Sequence, residues 1–347
     1  MSKKQRTKRK LTHTILLSGV LQNISCYGNR DMADTKYSTE QIIADIPSLN
    51  SVPHALADSA KYYFDYYGLA LEDDIAGVEH SFGTFQSQDF DIAAHIYKPA
   101  SPKGTVVIMH GYLNHCAQLK YAIRNLLENG YAVCAYDMPG HGLSTGKDAW
   151  ADDFDTYAKV MHDFKSIVAE RCPGPYSVMG FSHGACPIIQ SHLEGEENFF
   201  DKTILIAPLV RPSHWRHAQF CYRIYWPFRD SVLRIASRNT SDREFLDFNK
   251  SHDFLHKQRV PLMWVRALEK WNSKITLLPA TGNKLLVIQG DKDTTVDFKY
   301  NMKFLGKKFD TKEVILKKAK HELLNESKEI KSKVFTEINS YLEDNTK

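Results

Sequence analysis

Five consecutive residues, Gly180-Phe181-Ser182-His183-Gly184, concentrate the chemical possibilities of this sequence. A serine flanked at two positions' distance by glycines suits a strand-to-helix turn too tight for side chains at the flanks. Such a turn lifts the hydroxyl to a helix N-terminus, where free N–H groups favour a developing negative charge. The chemistry is nucleophilic attack on a carbonyl carbon. A hydroxyl is a weak nucleophile, so the reading also requires a base and an acid that orients the base. Downstream, the apolar run Leu285–Gln289 ends in Gly290-Asp291-Lys292-Asp293-Thr294-Thr295-Val296-Asp297. Asp293 is the preferred acid, by analogy with carboxylates placed just past a strand's C-terminal end. Asp291 reads better as a turn residue, and Asp297 as a charge in the first turn of the next helix. His321 is the only histidine after Asp293 and is therefore the candidate base. The backbone N–H groups of Tyr112, in His110-Gly111-Tyr112, and of His183 are the candidate oxyanion donors. The ring of His110 is expected to be structural, and that of His183 to shape a pocket rather than to act as the base.

These residues need a scaffold that brings distant segments to one edge. Between residues 105 and 207 the sequence alternates short apolar runs with helix-like segments. Thr105–Met109 (TVVIM), Tyr131–Tyr136, Tyr176–Met179 and Thr203–Ala207 read as strands. Gln118–Asn129, Phe154–Glu170 and Ala185–Leu193 read as the helices between them. Strands that are almost wholly apolar signify a parallel sheet covered on both faces. Before it, Ser38 to Gly68 is helical and Tyr-rich, and Val78–Gln86 and Asp89–Tyr97 read as two strands joined at Ser87-Gln88. The rhythm stops at Pro208, and from Leu209 to about Leu278 only helix-like segments are expected. It resumes with Lys284–Gln289, a helix near Asp297–Lys307, a strand Glu313–Leu316 and a helix Lys328–Glu343. The expectation is an α/β fold with a mostly parallel central sheet flanked by helices and one helical insertion. Residues 1–30 form a basic N-terminal segment, 31–208 the first part of the core, 209–278 a cap, and 279–347 the second part of the core.

At this point a resemblance can be stated. His110-Gly111-Tyr112, Asp137-Met138-Pro139-Gly140-His141-Gly142-Leu143-Ser144, Gly180-Phe181-Ser182-His183-Gly184, Gly290 with Asp293, and His321-Glu322-Leu323-Leu324-Asn325-Glu326 occur in family order. Together they resemble the monoacylglycerol lipase and lysophospholipase group of α/β-hydrolases, over roughly residues 76 to 345. The segment starting at His321 is the most specific part, because G-x-S-x-G is shared by many esterases. The resemblance implies a Ser182–His321–Asp293 triad, an acyl-enzyme, and a structural role for His141. Two positions depart from the pattern: Ala185 stands where a second glycine is frequent, and Lys320 precedes the histidine.

The cap segment is dense in aromatics: Trp215, Phe220, Tyr222, Tyr225, Trp226, Phe228, Trp264 and Trp271, with Leu262 and Met263. Trp215, Tyr222, Tyr225 and Trp226 are candidate substrate-binding residues, although a small helical subdomain needs an aromatic core in any case. Arg211, Arg216, Arg223, Arg229 and Arg234 are interleaved with them and suit either a lipid phosphate or a solvated helix face. The expected substrate is a lipid or small-molecule ester, foremost a lysophospholipid or a monoacylglycerol. A peptidase, a thioesterase, an acyltransferase or a non-catalytic binding protein are the rival readings. Nothing in the sequence calls for a metal or a cofactor.

The whole chain of 347 residues carries a net charge of +4, but six basic residues lie in its first ten positions. Removing those six charges leaves −2 on the remainder, which argues against nucleic acid as a partner. The basic start precedes a short apolar stretch, Leu11 to Leu21, and Asn23-Ile24-Ser25-Cys26 resembles a degraded lipoprotein box. Export or membrane association is therefore expected over a cytoplasmic location, with peripheral membrane contact through the N-terminus or the cap. The six cysteines (26, 116, 134, 172, 186 and 221) show no CxxC pair and no metal-ligand spacing, and Cys134 and Cys186 read as core residues.

Overall fold

The computed structural model describes residues 35–50, 56–196, 199–234 and 238–344. The basic segment 1–30, with Cys26, lies outside the described residues. From Thr39 onward the chain forms one compact unit.

Eight strands build the central sheet: β1 (Val78–Ser87), β2 (Phe90–Pro99), β3 (Thr105–Met109), β4 (Ala132–Tyr136), β5 (Tyr176–Phe181), β6 (Lys202–Ile206), and two strands beyond the cap. The cap holds a small antiparallel pair, β7 (Ser231–Leu233) and β8 (Arg259–Pro261). The last two strands of the sheet are β9 (Lys284–Gly290) and β10 (Asp310–Leu316). The spatial order is β1-β2-β4-β3-β5-β6-β9-β10. The first two strands run antiparallel to their neighbours and the remaining pairings are parallel.

The period-two alternation of the strands divides the core. In β3, Val107 and Met109 face one apolar layer while Val106 and Ile108 face the other. In β4, Ala132, Cys134 and Tyr136 share the first layer, and Val133 and Ala135 the second. The Asp155–Arg171 and Ala185–Glu194 helices cover the first face with Phe164, Ile188 and Ile189. The Lys120–Glu128 and Lys328–Glu343 helices cover the second with Ile123, Leu126, Val334 and Ile338. A strand apolar at every position, such as TVVIM, is stable only in this arrangement.

Three differences from the sequence reading have physical causes. The hairpin turn lies at Gln88-Asp89, where Gln88 takes φ 53°, so β1 runs one residue further than expected. Strand β5 continues through Gly180 and Phe181, because both still pair with β6. The cap is not purely helical: β7 and β8 pair across an insertion whose helices are Trp215–Tyr225, Arg243–Ser251 and Leu262–Leu277. Three-residue strands are too short to show alternation, which is why they escape a periodicity reading.

Candidate active site

Ser182 stands at the end of β5 with φ 51°, a conformation that costs a non-glycine residue energy unless its surroundings enforce it. They do. A Cβ on Gly180 would press on the carbonyl of Gly184, and one on Gly184 would press on the carbonyls of Met109 and His110. Both flanking positions are therefore closed to any residue but glycine, and the Ala185–Glu194 helix leaves directly from the turn.

The loops after β9 and β10 deliver the other two groups. His321 Nε2 lies 2.9 Å from Ser182 Oγ, and its Nδ1 lies 2.7 Å from Asp293 Oδ2. All three side chains are buried, with exposures of 6% for Ser182, 6% for Asp293 and 2% for His321. The second carboxylate oxygen of Asp293 accepts from the backbone N–H of Thr295 (2.8 Å) and Val296 (3.1 Å), and Gln289 Nε2 donates to Oδ2 at 2.9 Å. Burial alone would raise the Asp293 carboxyl. The adjacent His321 imidazole and these hydrogen bonds outweigh it and hold the pKa below the usual carboxylate value. Burial would likewise lower His321, yet the Asp293 carboxylate outweighs it and raises that pKa. The arrangement can hold the tautomer with Nδ1–H toward Asp293, leaving Nε2 to accept the serine proton. Asp291 instead accepts from Lys318 N–H in the turn between the two loops. Asp297 caps the Phe298–Lys308 helix by accepting from Tyr300 N–H, one position outside the first turn.

The loop after β3 lies against the nucleophile, since a Cβ on Gly111 would touch Phe181 and Ser182. Tyr112 follows it directly, and His183 follows Ser182, so both candidate donors belong to segments that meet at the hydroxyl. The loop is held by groups remote in sequence. Asp137 accepts from Cys116 N–H (2.6 Å) and Leu143 N–H (2.8 Å), and His110 Nε2 accepts from Met138 N–H while Nδ1–H donates to Gly111 O. Burial, with help from His141, pushes His110 down to about 3, so its ring is neutral and structural. His183 is enclosed by the rings of Tyr112, Phe154, Tyr157 and Trp264. Burial and the neighbouring imidazoles hold it well below 6.5, and neither ring nitrogen has a hydrogen-bond partner. It packs among these rings. His141 Nδ1–H donates to Pro139 O within its own loop.

A pocket of about 140 Å³ opens beside Ser182 and His321. Its walls include Leu209, Pro212, Arg234, Val260, Trp264 and Glu322. The expected cap residues Trp215, Tyr222, Tyr225 and Trp226 do not line this pocket. Trp215, Ala218 and Tyr222 fall on one helical face and turn into the apolar layer that the cap shares with the first face of the sheet. Trp226 packs on Tyr222, while Tyr225 points to solvent and is 43% exposed. Trp264, from the Leu262–Leu277 helix, reaches the pocket and stacks on Tyr112 at 3.9 Å between ring centroids. Of the interleaved arginines, Arg211 lies over the Tyr300 ring and Arg223 pairs with Glu269, whereas Arg234 faces the pocket.

One structural hub has no signal in any single stretch of sequence. Asp253, in the cap, accepts from Tyr67 Oη (2.9 Å), His115 Nε2 (3.0 Å), Gln118 Nε2 (2.7 Å) and the N–H groups of Leu255 and His256 (3.1 Å each). It ties the cap to the loop that carries Tyr112. Among the described residues, no cluster of three His, Cys, Asp or Glu side chains is placed to hold a metal.

Residues 100–328 match the family described as serine aminopeptidase S33. A monoglyceride lipase homolog of monkeypox virus is 25% identical over 255 residues, covering 71% of this chain and 92% of that protein. The monoglyceride lipase of Homo sapiens is 26% identical over 266 residues, covering 72% of this chain and 86% of that protein. In fold, a soluble variant of monoglyceride lipase from Saccharomyces cerevisiae superposes with a TM-score of 0.66 at 16% identity, over 77% of this chain and 95% of that one.

Proposed function

We propose, from the premise that this chain belongs to the serine aminopeptidase S33 family and is a serine ester hydrolase of the α/β-hydrolase fold, that it cleaves carboxylic esters of single-chain lipids through Ser182. The observation that carries the proposal is the continuous line from Asp293 through His321 to Ser182 Oγ, with links of 2.7 and 2.9 Å. In this mechanism His321 Nε2 takes the hydroxyl proton as Oγ bonds to the ester carbon. The oxyanion is held by the N–H groups of Tyr112 and His183. The protonated His321 then gives its proton to the leaving alcohol, and water cleaves the acyl-enzyme by the same steps in reverse. Monoacylglycerols and lysophospholipids are the proposed substrates; the relatives named above support the former, and the apolar wall of Leu209, Val260 and Trp264 suits the acyl chain of either.

The test is labelling by a fluorophosphonate, with Ser182→Ala as control, followed by rates on an ester series of rising acyl length and on aminoacyl amides. Labelling that Ser182→Ala abolishes, with rates that rise along the ester series, supports the proposal. Folded protein that does not label, or that prefers the amides, overturns it.

Peripheral membrane contact through the cap is part of the same proposal. Phe228 is 82% exposed and Phe220 61%, and Ile224 and Tyr225 lie beside them in a stretch that also carries Arg216, Arg223 and Arg229. An exposed apolar face with basic residues suits an anionic lipid surface. Co-sedimentation with anionic vesicles that Phe220→Ser with Phe228→Ser abolishes is the expected result. Among the described residues no helix is long and apolar enough to cross a membrane.

A further inference from the structure

Two buried thiols take no part in the chemistry at Ser182. Cys134 lies in the middle of β4, and Cys172 is the first residue after the Asp155–Arg171 helix that covers that face of the sheet. Both belong to the same apolar layer, with exposures of 0% and 4%. Their Sγ atoms stand 3.8 Å apart, in contact. The other described cysteines have different surroundings. Cys116 belongs to the second layer, Cys186 Sγ lies 3.4 Å from Leu209 O, and Cys221 Sγ lies 3.4 Å from His217 Nε2. The pair is also remote from the reaction, because Cys172 precedes the start of β5 whereas Ser182 follows its end.

A disulfide holds its sulfurs at about 2.0 Å, so the pair has to close by roughly 1.8 Å. Cys134 is fixed, since β4 pairs with β2 on one side and β3 on the other, at Ile96 and Val107. Cys172 is the side that can give. The helix has ended there, the backbone is extended (φ −126°, ψ 144°), and the exposed turn Pro173-Gly174-Pro175 follows. The two thiols also differ in chemistry. The hydrogen bond with Cys134, aided by the charges of Lys98 and Arg171, holds the Cys172 thiol below its usual pKa against the effect of burial. Burial pushes Cys134 up. Cys172 is thus the thiol that attacks first, and Cys134 the one that resolves.

We propose that Cys134 and Cys172 are a disulfide-forming pair, oxidised by exchange with a small-molecule disulfide, and that the bond pins the Asp155–Arg171 helix to the sheet beneath it. With glutathione disulfide as the oxidant, the Cys172 thiolate attacks one of its sulfurs. That S–S bond breaks, and one glutathione leaves as a thiolate that takes up the proton Cys172 gave away. The Cys134 thiolate then attacks the Cys172 sulfur and displaces the second glutathione, which takes up the proton lost by Cys134. Two protein thiols are oxidised and one glutathione disulfide is reduced to two thiols. The new bond joins positions 38 residues apart, so it removes freedom from the unfolded chain and stabilises the fold. The proposal is independent of which ester the protein cleaves.

The test equilibrates the full-length protein with glutathione disulfide and glutathione at a urea concentration just below its unfolding transition, where the layer opens often. The urea is then removed and the remaining thiols are trapped with N-ethylmaleimide. A tryptic map is expected to join peptide 125–147 to peptide 172–202, with fragmentation placing the link on Cys172 and not on Cys186. Cys172→Ala should abolish the link; where that variant does not fold by circular dichroism, Cys134→Ala makes the same comparison. Urea unfolding of the linked protein, with and without dithiothreitol, should give an unfolding constant smaller by roughly a hundred- to a thousand-fold in the linked form. A map without the 134–172 link, a link made as often to Cys186, or a linked form no harder to unfold than the reduced one overturns the proposal.

Discussion

Removing the Asp253 carboxylate should cost this protein a large part of its stability, and the structure sets how much. Five donors converge on the two oxygens: Tyr67 Oη, His115 Nε2, Gln118 Nε2 and the N–H groups of Leu255 and His256. The site is buried, with Asp253 7% exposed. In Asp253→Ala each donor left unmet costs about 1–3 kcal/mol. The space vacated by the carboxylate is of the order of one water, about 30 Å³, and a water there can satisfy two or three of the five. Two or three donors remain, for a loss of roughly 2–9 kcal/mol, against a total stability of about 5–15 kcal/mol for folded domains. Asp253→Asn should cost less, about 1–3 kcal/mol. The amide oxygen can keep Tyr67 and the two backbone groups, and His115 can change tautomer freely because its Nδ1 has no partner. Gln118 is then the donor left in conflict, since turning its amide would break its 2.7 Å bond to Asn249. The assay is equilibrium unfolding in urea at neutral pH, with esterase activity measured in parallel because His115 closes the loop that carries Tyr112. A loss below about 1 kcal/mol for Asp253→Ala, or an Asn variant no more stable than the Ala variant, would refute the reasoning.

Three further outcomes are expected. Asp293→Asn should fold normally and lower kcat by roughly ten-thousand-fold with little change in KM, because the amide stabilises the wrong tautomer of His321; steady-state kinetics checks it. The activity should rise with pH through an inflection above 6.5, since the Asp293 carboxylate, against the opposing effect of burial, raises the pKa of His321 and only its neutral form can take the serine proton; a kcat/KM profile with its inflection below 6 contradicts this. Stability should fall on mild acidification. Burial pushes His110 to about 3, and His141 and His256 to about 4, so below 6.5 the unfolded chain binds protons that the folded chain does not. Each group then loses about 1.4 kcal/mol by pH 5.5, or roughly 4 kcal/mol for the three, partly offset by His321, whose shift has the opposite sign. Urea midpoints at pH 7.5 and 5.5 measure it, and equal midpoints would count against the assignment of these rings as buried and neutral.

The residues that lie at strand ends were legible in the sequence. Ser182 and Asp293 each follow an apolar run whose composition already specifies a buried parallel strand, His321 follows the shorter run Val314–Leu316, and the ends of parallel strands share one edge of a sheet. The glycines at 180 and 184 were legible for a related reason, since a turn that excludes Cβ atoms leaves its requirement in the residue type itself. The limits of β5 and β10 were less so, because β5 continues through Gly180 and Phe181 and the start of β10 is charged and exposed, with pairing to β9 and not composition defining it.

The cap was another matter. Its aromatic content announced an apolar subdomain, yet which rings face the buried apolar layer, solvent or the pocket depends on the angle at which three helices meet, and composition carries no record of that angle. Trp264 reaches the pocket and Trp215 does not, although both are tryptophans on amphipathic helices of the same insertion. The Asp253 hub depends on residues from segments separated by up to 186 positions. Local patterning therefore determined this protein's strands, its turn at Ser182 and the order of its candidate triad, because those follow from steric rules between near neighbours. The shape and polarity of the pocket were decided only by tertiary packing, because they arise where side chains from remote segments are forced to share one small volume.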